Sequence, residues 1–522
     1  MDFPFTTFYD IVRTHARKRG RKVALFADEE KIRYRDILEK SDTLAAFLSE
    51  QGIGKGDRVA LFLRNSPEFV YAIFAISKLG AVIVPVNTFL KEDELSYILE
   101  DSGSKFLIAS AIHQKVVNAS AAGRLCEGIL WEGEMSASKE QETSFETVWR
   151  GRYEPALAVE GALDDTAVII YTSGTTGKPK GAMLSNRNVL SNADAGREAV
   201  QVTARDRVII FLPMFHSFTF SIGVILPLYV GGSIVIIRSI QPFSNIFKQT
   251  LLKRVTIFFG IPDVYNALAK AKLPWYFMWF NRIRVFISGA AALQPKTLDA
   301  MAKKFRRATL LEGYGLSEAS PAVSINTVKQ QKAGSVGTAL PGYEIKIVNE
   351  EMEELPRGEI GDIITRGENV MQGYLGRPDA TAETIVNGWL LTGDMGFMDE
   401  DGFLFIVDRK KDLIISKGIN IYPREIEETI DKFPGVKASA VVGIFDEKSG
   451  EIPVAYIELE EDAEHLDEAG LKKHMREYLA NYKQPKQIHV IEALPKNATG
   501  KVLKRELKAQ LARAEVSDQS AD

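Results

Sequence analysis

The chain has little of several features that would assign it to a particular class of protein. Its single cysteine, Cys126, excludes an internal disulfide and lies in no recognisable thiol motif, so we expect a reducing compartment and no cysteine catalysis. The formal net charge of -4 leaves no basic excess for nucleic-acid binding. The first residues lack a basic stretch followed by an apolar core, so we expect no secretory signal and a cytoplasmic location.

An unbroken apolar segment long enough to cross a membrane is also missing. Residues 217–237 are uncharged, but Pro227 and the pair Gly231 and Gly232 interrupt them. This pattern predicts a helix, a turn and a buried strand over 233–237 rather than a membrane span. The 6 histidines include no HExxH-type pair that would indicate a zinc site.

The 522 residues exceed what one hydrophobic core can serve, so we expect two or more domains. Helix and strand patterns alternate over the first 110 residues, which predicts an α/β fold with parallel sheets covered by helices. From about residue 340, short strands separated by Gly and Pro predict a β-barrel-like subdomain. After Asp408 a compact α+β domain of roughly a hundred residues follows. We place the domains at 1–408 and 409–522.

One aromatic cluster, residues 275–280 (Trp-Tyr-Phe-Met-Trp-Phe), has two interpretations. Buried, it would be ordinary core; exposed, it would indicate contact with a membrane or with an acyl chain. We favour core.

Residues 171–181 join the apolar run 167–170 to a segment rich in Gly, Thr and Lys. Backbone N–H groups and hydroxyls in such a loop can bind a polyphosphate, the glycines allow close approach, and the lysines add positive charge. The loop is not a Walker A motif, because Gly174 and Gly177 enclose only two residues and Lys178 precedes Pro179. It predicts a phosphate site; a mobile surface loop is the alternative.

Six further segments follow in order, and with the loop they resemble the motifs of the adenylate-forming superfamily. They are Leu-Pro-Met-Phe-His at 212–216, Ser-Gly-Ala-Ala at 288–291, Glu-Gly-Tyr-Gly-Leu-Ser-Glu at 312–318, Gly-Trp-Leu-Leu-Thr-Gly-Asp at 388–394, Asp-Arg-Lys-Lys-Asp at 408–412 and Pro-Lys-Asn-Ala-Thr-Gly-Lys at 495–501. That superfamily contains acyl-CoA synthetases, nonribosomal peptide adenylation domains and firefly luciferase. The resemblance looks closest to medium- and long-chain fatty acyl-CoA ligases, and it implies a large N-terminal domain joined by a hinge to a small C-terminal domain.

The resemblance also implies which residues bind the substrates. The residues implied for ATP and AMP are Thr172, Ser173, Gly174, Thr175, Thr176, Gly177, Lys178, Lys180, Gly289, Ala290, Glu312, Gly313, Tyr314, Gly315, Ser317, Asp394, Arg409 and Lys501. Tyr314 would stack on adenine, Asp394 and Arg409 would bind the ribose, and Ser317 would reach the α-phosphate. Glu318 would help to hold Mg²⁺, a hard cation that prefers oxygen ligands.

Four more residues take roles from the same resemblance. Lys501 matches the catalytic lysine of the first half-reaction, and Lys411 matches the hinge around which the small domain rotates. Gly418 matches the glycine presented to CoA for thioester formation, and His216 matches a residue near the acyl and thiol tunnels. With Ser317, Lys501 and His216 form the predicted catalytic set.

The implied activity is ATP-dependent acid–CoA ligation with Mg²⁺, and the acid is the open question. No tryptophan, the residue that shortens acetyl-type pockets, occurs at 310–318, so we favour a medium- or long-chain fatty acid. The alternatives are an aryl-acid–CoA ligase, a stand-alone enzyme that loads a carrier protein, and a luciferase-like oxygenase. A nonenzymatic ATP sensor would be expected to lose Lys501 or Glu318, and both are present. Peripheral membrane contact and a homodimer stay open.

Overall fold

The structure is a computed structural model in which the chain divides into two compact units. It describes residues 3–135, 141–172, 178–239, 242–289, 291, 293–416, 419–446, 450–460, 463, 465–497 and 500–519, with side chains to residue 511. Unit 1 comprises residues 1–345 and 365–390, and unit 2 comprises 346–364 and 391–522. The boundary at 408/409 stays a prediction about the hinge.

The helices and strands alternate through most of unit 1. Within the described residues its helices are α1 (Phe8–Arg19), α2 (Tyr34–Glu50), α3 (Pro67–Lys78), α4 (Glu92–Ser102), α5 (Gln114–Ala119), α6 (Ala122–Leu125), α7 (Phe145–Arg150), α8 (Asn186–Val200), α9 (Leu226–Tyr229), α10 (Ser244–Leu252), α11 (Pro262–Lys270), α12 (Trp275–Phe280), α13 (Pro295–Lys304) and α14 (Pro378–Thr384). Its strands are β1 (Val23–Ala27), β2 (Glu30–Arg33), β3 (Arg58–Phe62), β4 (Val82–Pro85), β5 (Ser104–Ser110), β6 (Gly128–Glu132), β7 (Glu142–Ser144), β8 (Thr166–Thr172), β9 (Lys180–Ser185), β10 (Arg207–Ile210), β11 (Ser233–Ile236), β12 (Ile257–Gly260), β13 (Val285–Ser288), β14 (Thr309–Gly315), β15 (Ala322–Ile325), β16 (Thr338–Ala339), β19 (Gly373–Tyr374) and β20 (Ile385–Val386).

The remaining strands and helices begin where the chain passes between the units. It does so within β17 (Glu344–Val348), β18 (Gly361–Arg366) and β21 (Trp389–Met398). Unit 2 then contains β22 (Leu404–Arg409), β23 (Ile414–Ser416), β24 (Ile419–Ile421), α15 (Pro423–Ile430), β25 (Val436–Asp446), β26 (Gly450–Leu459), α16 (Glu468–Tyr478), β27 (Gln487–Ile491) and α17 (Lys504–Gln519).

Local sequence explains why the first elements form. Ser66 caps α3 by accepting the N–H of Phe69 at 3.3 Å, and Pro67 occupies the first helical position, where it loses no hydrogen bond. The helix ends before Gly80, whose φ of 64° suits glycine. Strand β4 follows directly and is buried throughout. The predicted succession of capped helix, glycine and buried strand is confirmed.

Two large sheets form the core of unit 1. The described strands give a nine-stranded sheet in the order β16-β15-β14-β13-β12-β10-β11-β1-β2 and an eight-stranded sheet in the order β19-β9-β8-β4-β3-β5-β6-β7. Their central strands are parallel, as β12, β13 and β14 are, and antiparallel strands occupy three of the four margins, while β7 is parallel to β6. The carboxyl ends of parallel strands meet at one edge, which is where α/β sheets bind ligands.

Unit 2 has its own sheet and its own core. Strands β24, β23, β26 and β25 pair in that order, and β27 pairs with β26 in parallel. Helices α15 and α16 cover one face, where Ile426, Ile430 and Leu471 are fully buried. Helix α17 covers the other face through Leu507. The predicted α+β domain is confirmed.

The aromatic cluster at 275–280 is not core, and the prediction that it would be is wrong. It forms the short helix α12, in which only Phe277 is buried and Trp275 and Trp279 are 72% and 68% exposed. The uncharged run at 217–237 does fold as predicted, although its helical part, Thr219–Ile225, is a buried π-helix. No helix among the described residues has the length and apolarity needed to span a bilayer.

Candidate active site

The predicted phosphate loop joins two adjacent strands. Strands β8 and β9 are antiparallel, and Thr172 pairs with Lys180, so the two residues face each other where the loop begins and ends. Five members of the predicted set, Ser173, Gly174, Thr175, Thr176 and Gly177, lie outside the described residues. Lys178 lies with its Nζ 5.3 Å from the centre of the Tyr97 ring. Two lysines and one hydroxyl therefore surround the base of the loop.

Glu318 lies directly beside this loop. Its Oε1 accepts the hydroxyl of Thr172 at 3.2 Å and the hydroxyl of Tyr374 at 2.9 Å. The Nζ of Lys180 lies 5.1 Å from the centre of the Tyr374 ring. Burial, together with the Glu318 carboxylate, raises the pKa of Tyr374, so its hydroxyl stays protonated and donates. The structure thus brings together Thr172, Lys180 and Glu318, which lie far apart in sequence.

The chemistry of Glu318 fits the implied Mg²⁺. Among the described residues no cluster of three or more His, Cys, Asp or Glu side chains could hold a metal by itself. A single carboxylate beside a polyphosphate loop is the arrangement that Mg²⁺ uses, because it keeps several waters and takes its other ligands from phosphate oxygens. Glu318 and the Thr172 hydroxyl would supply the protein oxygens.

The predicted adenine motif lies at the carboxyl ends of two parallel strands. Ser288 of β13 pairs with Glu312 of β14, which sets Gly289 beside Gly313. A Cβ at Gly289 would lie 3.2 Å from the Phe218 ring, and one at Gly315 would overlap the carbonyl of Pro321. Close packing therefore requires glycine at position 315 and leaves little room for a side chain at position 289.

Glu312 and Tyr314 of the adenine motif differ in burial and in their contacts. The buried Glu312 accepts the N–H of Leu293 at 3.1 Å, so its carboxylate fixes the loop that follows β13. Tyr314 pairs with Ser324 across β14 and β15 and is only half-buried. Ala290 lies outside the described residues.

His216 and Ser317 are linked through a residue that sequence reasoning missed. The Oγ of Ser317 lies 3.0 Å from the Oγ of Ser217, the neighbour of His216. The His216 Nδ1 accepts the N–H of Phe218 at 3.3 Å. Burial lowers the pKa of His216 to about 4, so the imidazole is neutral at physiological pH. A neutral, half-buried histidine can line a pocket or accept a proton, but it supplies no fixed positive charge.

Unit 2 contains the predicted ribose residues as an ion pair. Asp394 and Arg409 pair across β21 and β22, and Arg409 Nε lies 3.2 Å from Asp394 Oδ1. The Asp394 N–H donates to the hydroxyl of Thr392 at 3.2 Å, which holds the turn. Asp394 is buried and Arg409 half-buried, so carboxylate and guanidinium occupy a defined position.

Lys501 belongs to the same unit and shares its electrostatics. Its N–H donates to Asn497 Oδ1 at 2.9 Å, and the Asn497 N–H donates to the Lys501 carbonyl at 2.9 Å, which closes the turn before α17. Burial lowers the pKa of Lys501 to about 8, and the positive charge of Arg409 acts in the same direction. Lys411 lies exposed in a single 3-10 turn over Lys410–Asp412, and Gly418 lies outside the described residues.

Sequence reasoning overlooked Tyr374 as well as Ser217. Tyr374 reaches Glu318 because the short strand β19 pairs with β9, where Tyr374 faces Ala182. No local sequence pattern predicts that β19 and β9 pair. Ser217 was adjacent to a recognised motif and could have been found, since a hydroxyl next to a site histidine is itself a candidate donor.

These two units define a class of protein. An α/β unit with a hydroxyl- and lysine-flanked loop and a nearby carboxylate can bind a nucleotide polyphosphate with its metal. An α+β unit with a buried acid–guanidinium pair and a lysine of lowered pKa can bind a ribose and an α-phosphate. These are the features that an adenylate-forming enzyme requires.

Comparison with known proteins gives the family. Residues 12–375 match the AMP-binding enzyme family and residues 425–501 match the AMP-binding enzyme C-terminal domain. The chain belongs to this family and is an acyl-CoA synthetase of the adenylate-forming superfamily, an ATP-dependent acid–CoA ligase that acts through an acyl-adenylate.

Three similar proteins illustrate the range of the family. The chain is 35% identical to a feruloyl-CoA synthase of Amycolatopsis sp over 91% of its length and 93% of the relative. It is 34% identical to a long-chain-fatty-acid–CoA ligase of Escherichia coli O6:H1 over 95% and 94%. The crystal structure of the anthranilate CoA ligase AuaEII in complex with anthranoyl-AMP superposes with a TM-score of 0.90 at 29% identity, over 98% of this chain and 99% of that one.

Proposed function

We propose that this enzyme activates a medium- or long-chain fatty acid and transfers the acyl group to CoA. The observation that carries the proposal is the aromatic lining beside His216, in which Phe215 and Phe218 each meet a further ring. Burial lowers the pKa of His216, so this half-buried side chain adds no positive charge. A site for a dicarboxylate or an amino acid would need a cation or an anion to pair with the second charge of the substrate.

Aromatic rings take the place of charges around His216. Its neighbour Phe215 meets Phe89 edge to face with ring centres 6.3 Å apart. Phe218, on the other side in sequence, meets Phe259 in the same way at 5.3 Å. Such a lining gains free energy from each methylene that it removes from water, about 0.8 kcal/mol. It therefore supports an uncharged, apolar acyl group.

A second candidate, an aromatic acid, is favoured by the packing at Gly289. The Phe218 ring lies so near that a single added carbon would touch it at 3.2 Å. A glycine packed against an aromatic ring gives a flat wall, against which a planar ring can stack. The similarity to a feruloyl-CoA synthase and to an anthranilate CoA ligase supports the same candidate.

The proposed roles of the residues follow from where negative charge develops. In the first step the substrate carboxylate bonds to the α-phosphorus of ATP, the bond to the β-phosphate bridging oxygen breaks, and pyrophosphate leaves. Lys501 and Ser317 would stabilise the charge at the α-phosphate. Glu318 would hold Mg²⁺, which neutralises the departing pyrophosphate.

The nucleoside and the thiol complete the assignment. Asp394 would accept hydrogen bonds from the ribose hydroxyls, and Arg409 would donate to the same sugar. In the second step the CoA sulfur bonds to the acyl carbon, and the bond to the AMP oxygen breaks. The half-buried, neutral His216 would line the path of the thiol and the acyl group.

The decisive experiment measures pyrophosphate release and CoA thioester formation over saturated acids from C2 to C18 and over benzoate- and cinnamate-type acids. For a fatty acid enzyme, kcat/KM should rise about fourfold per methylene until the pocket is full. A flat response to chain length with a maximum at a cinnamate-type acid would establish the aromatic alternative. Thioester formed on a carrier protein but not on CoA would contradict both.

A variant sharpens this comparison. Phe218→Ala removes the ring that faces Gly289, so it should raise kcat/KM for bulky acids relative to short ones. Phe405→Ala is a matched control, because Phe405 stacks on Phe397 in unit 2 with ring centres 4.8 Å apart. An unchanged acid preference in Phe218→Ala would remove that ring from the acyl pocket.

A further inference from the structure

We propose that the exposed aromatic side chains of helix α12 dock the enzyme onto an anionic lipid bilayer. The α12 surface is defined here as Trp275, Tyr276, Trp279 and Phe280. All four side chains are exposed, from 46% for Tyr276 to 72% for Trp275. Four large aromatic side chains in six residues are far more than a water-facing helix normally presents.

The α12 surface is anchored rather than loose. Phe277, on the opposite side of the helix, is buried and meets Phe247 of α10 edge to face at 5.5 Å. The side-chain amide of Asn281 donates to the Phe277 carbonyl at 2.9 Å and closes the helix end. A buried phenylalanine and a closed helix end hold the exposed rings outward, so the exposure belongs to the fold.

The segment that contains α12 is rich in basic residues. Residues 248–307 contain twelve Lys and Arg and only two Asp, in a chain whose net charge is -4; of the twelve, Lys253 and Arg284 are paired with Glu29 and Asp206. Lys272 and Arg282 flank α12 directly, and both are exposed. Arg306 and Arg307, beyond the end of α13, are exposed as well.

The end of α13 lies close to the approach to α12. The Nζ of Lys304 donates to the carbonyls of Leu268 and Ala269, in the last turn of α11, at 2.8 and 3.0 Å. Since α11 is followed by α12 after four residues, the basic end of α13 lies beside the same stretch of surface. Aromatic rings and basic residues are thus combined in one region of unit 1.

This combination fits a bilayer with negatively charged headgroups. Trp and Tyr concentrate at membrane–water interfaces, where their apolar rings and polar tips are both satisfied. Lys and Arg near such rings add attraction to anionic lipids. A second copy of the chain is a poorer occupant, because two strongly basic surfaces of the same sign would repel.

The placement would also leave the nucleotide residues accessible. Helix α12 leads into the amino end of β13, whereas Gly289 follows its carboxyl end. A bilayer at the α12 surface would thus contact the edge of the sheet opposite to the adenine motif. An enzyme held there would keep the edge that carries the adenine motif facing water.

The test is cosedimentation of the whole enzyme with vesicles of phosphatidylcholine alone and of phosphatidylcholine mixed with phosphatidylglycerol. We expect binding to the anionic vesicles that weakens with salt. Trp275→Ser/Trp279→Ser should lower the partition coefficient about tenfold or more, with unchanged thermal unfolding and unchanged activity on a short, water-soluble acid. Arg306→Glu/Arg307→Glu should lower binding to the anionic vesicles in particular.

A matched control separates the α12 surface from exposed aromatic side chains in general. Phe445, in unit 2, is 80% exposed, and Phe445→Ser should bind vesicles as the unmodified enzyme does. The proposal is overturned if the enzyme binds neither kind of vesicle, or if Phe445→Ser reduces binding as much as the double tryptophan variant. It is also overturned if the tryptophan variant converts a dimer to a monomer, because a second copy would then cover the surface.

Discussion

Asp394 presents a buried carboxylate. Arg409 lies 3.2 Å from one of its oxygens. We expect Asp394→Ala to raise the KM for ATP about ten- to hundredfold while leaving the KM for the acid nearly unchanged. The reason is the loss of charge-assisted hydrogen bonds to the ribose, each worth about 1.5–3 kcal/mol.

Steady-state kinetics with ATP and acid varied separately would check this expectation. Asp362→Ala is a matched control, because Asp362 also pairs with a basic residue of unit 2, Lys410, at 2.7 Å. That variant should keep its KM for ATP. An unchanged ATP KM in soluble Asp394→Ala would place the ribose elsewhere.

Lys501 gives the enzyme a pH dependence on the alkaline side. A lysine whose pKa is lowered to about 8 is charged below that pH and loses its charge as the pH rises through it. If its charge stabilises the α-phosphate, kcat/KM for adenylate formation should be highest below pH 8 and fall above it. Pyrophosphate release by single turnover across this range is the measurement.

Two charged residues near Lys501 allow the assignment of this titration to Lys501 to be tested. The positive charge of Lys411 lowers the pKa of Lys501 and the negative charge of Asp412 raises it. Lys411→Gln should therefore move the alkaline break to higher pH, and Asp412→Asn should move it to lower pH. A break that shifts the same way in both variants, or in neither, would show that another group titrates.

At the scale of secondary structure elements, α17 is held to the rest of unit 2 by an ion pair. Lys504 Nζ lies 2.7 Å from Glu427 Oε1 of α15, and both side chains are mostly buried. Burial opposes the charge on Lys504, but the carboxylates of Glu427 and Asp408 outweigh it and raise the pKa of Lys504. Since Lys501 directly precedes α17, the pair also helps to position the predicted catalytic lysine.

We expect Lys504→Met to destabilise unit 2 by about 3 kcal/mol, because it leaves Glu427 mostly buried without its cation. Urea unfolding is the measurement, and Lys508→Met, an exposed site on the same helix, is the control. In a double-mutant cycle, adding Glu427→Gln to Lys504→Met should restore most of the lost free energy of unfolding. Equal stability of the two methionine variants would show that the pair contributes nothing.

Sequence predicted those elements whose local signals agree with one another. Helix α3 carries a cap, a proline at its first position and a glycine after its end, and the structure reproduces all three. In this case a short window of residues contains the complete physical reason.

Tyr374 could not be predicted in this way. It reaches Glu318 because β19 pairs with β9, and pairing between strands distant in sequence leaves no local pattern. The resemblance implied that Glu318 helps to hold a metal ion. The structure also gives its carboxylate two hydroxyl donors, those of Thr172 and Tyr374.

The prediction for the cluster at 275–280 was wrong for a different reason. An apolar run of six residues has no periodicity that distinguishes an inward from an outward face. Only the packing of Phe277 against Phe247 decides which side of α12 is buried, and that contact joins two separate helices. The composition of this segment therefore predicted a buried cluster, whereas in the fold most of its side chains are exposed.

At the scale of the whole molecule, the predicted site residues are divided between two units. Thr172, Ser317 and Glu318 belong to unit 1, whereas Asp394, Arg409 and Lys501 belong to unit 2. Lys411, the predicted hinge, lies within unit 2 in an exposed single turn, so rotation about it would move Lys501 relative to Asp394 and Arg409. A reaction in two steps can use such a rotation, because it presents different residues to the substrates in each step.

This division predicts that two substitutions will separate the half-reactions. Lys501→Ala should lower pyrophosphate release about 10²–10³-fold, the usual effect of deleting one electrostatic stabiliser. Given synthetic acyl-adenylate and CoA, the same variant should form thioester at nearly the unmodified rate. Lys411→Pro should do the reverse, because proline restricts the backbone about which the predicted C-terminal domain, 409–522, would turn.

Rapid-quench measurements of each half-reaction, on variants with unchanged unfolding curves, would decide the matter. Lys410→Ala serves as the control for the turn, since it removes a neighbouring charge without restricting the backbone, and it should keep both half-reactions. If Lys501→Ala and Lys411→Pro slow both half-reactions equally, the two units do not exchange roles. Adenylate and thioester would then have to form in one fixed arrangement, with Lys501 required throughout.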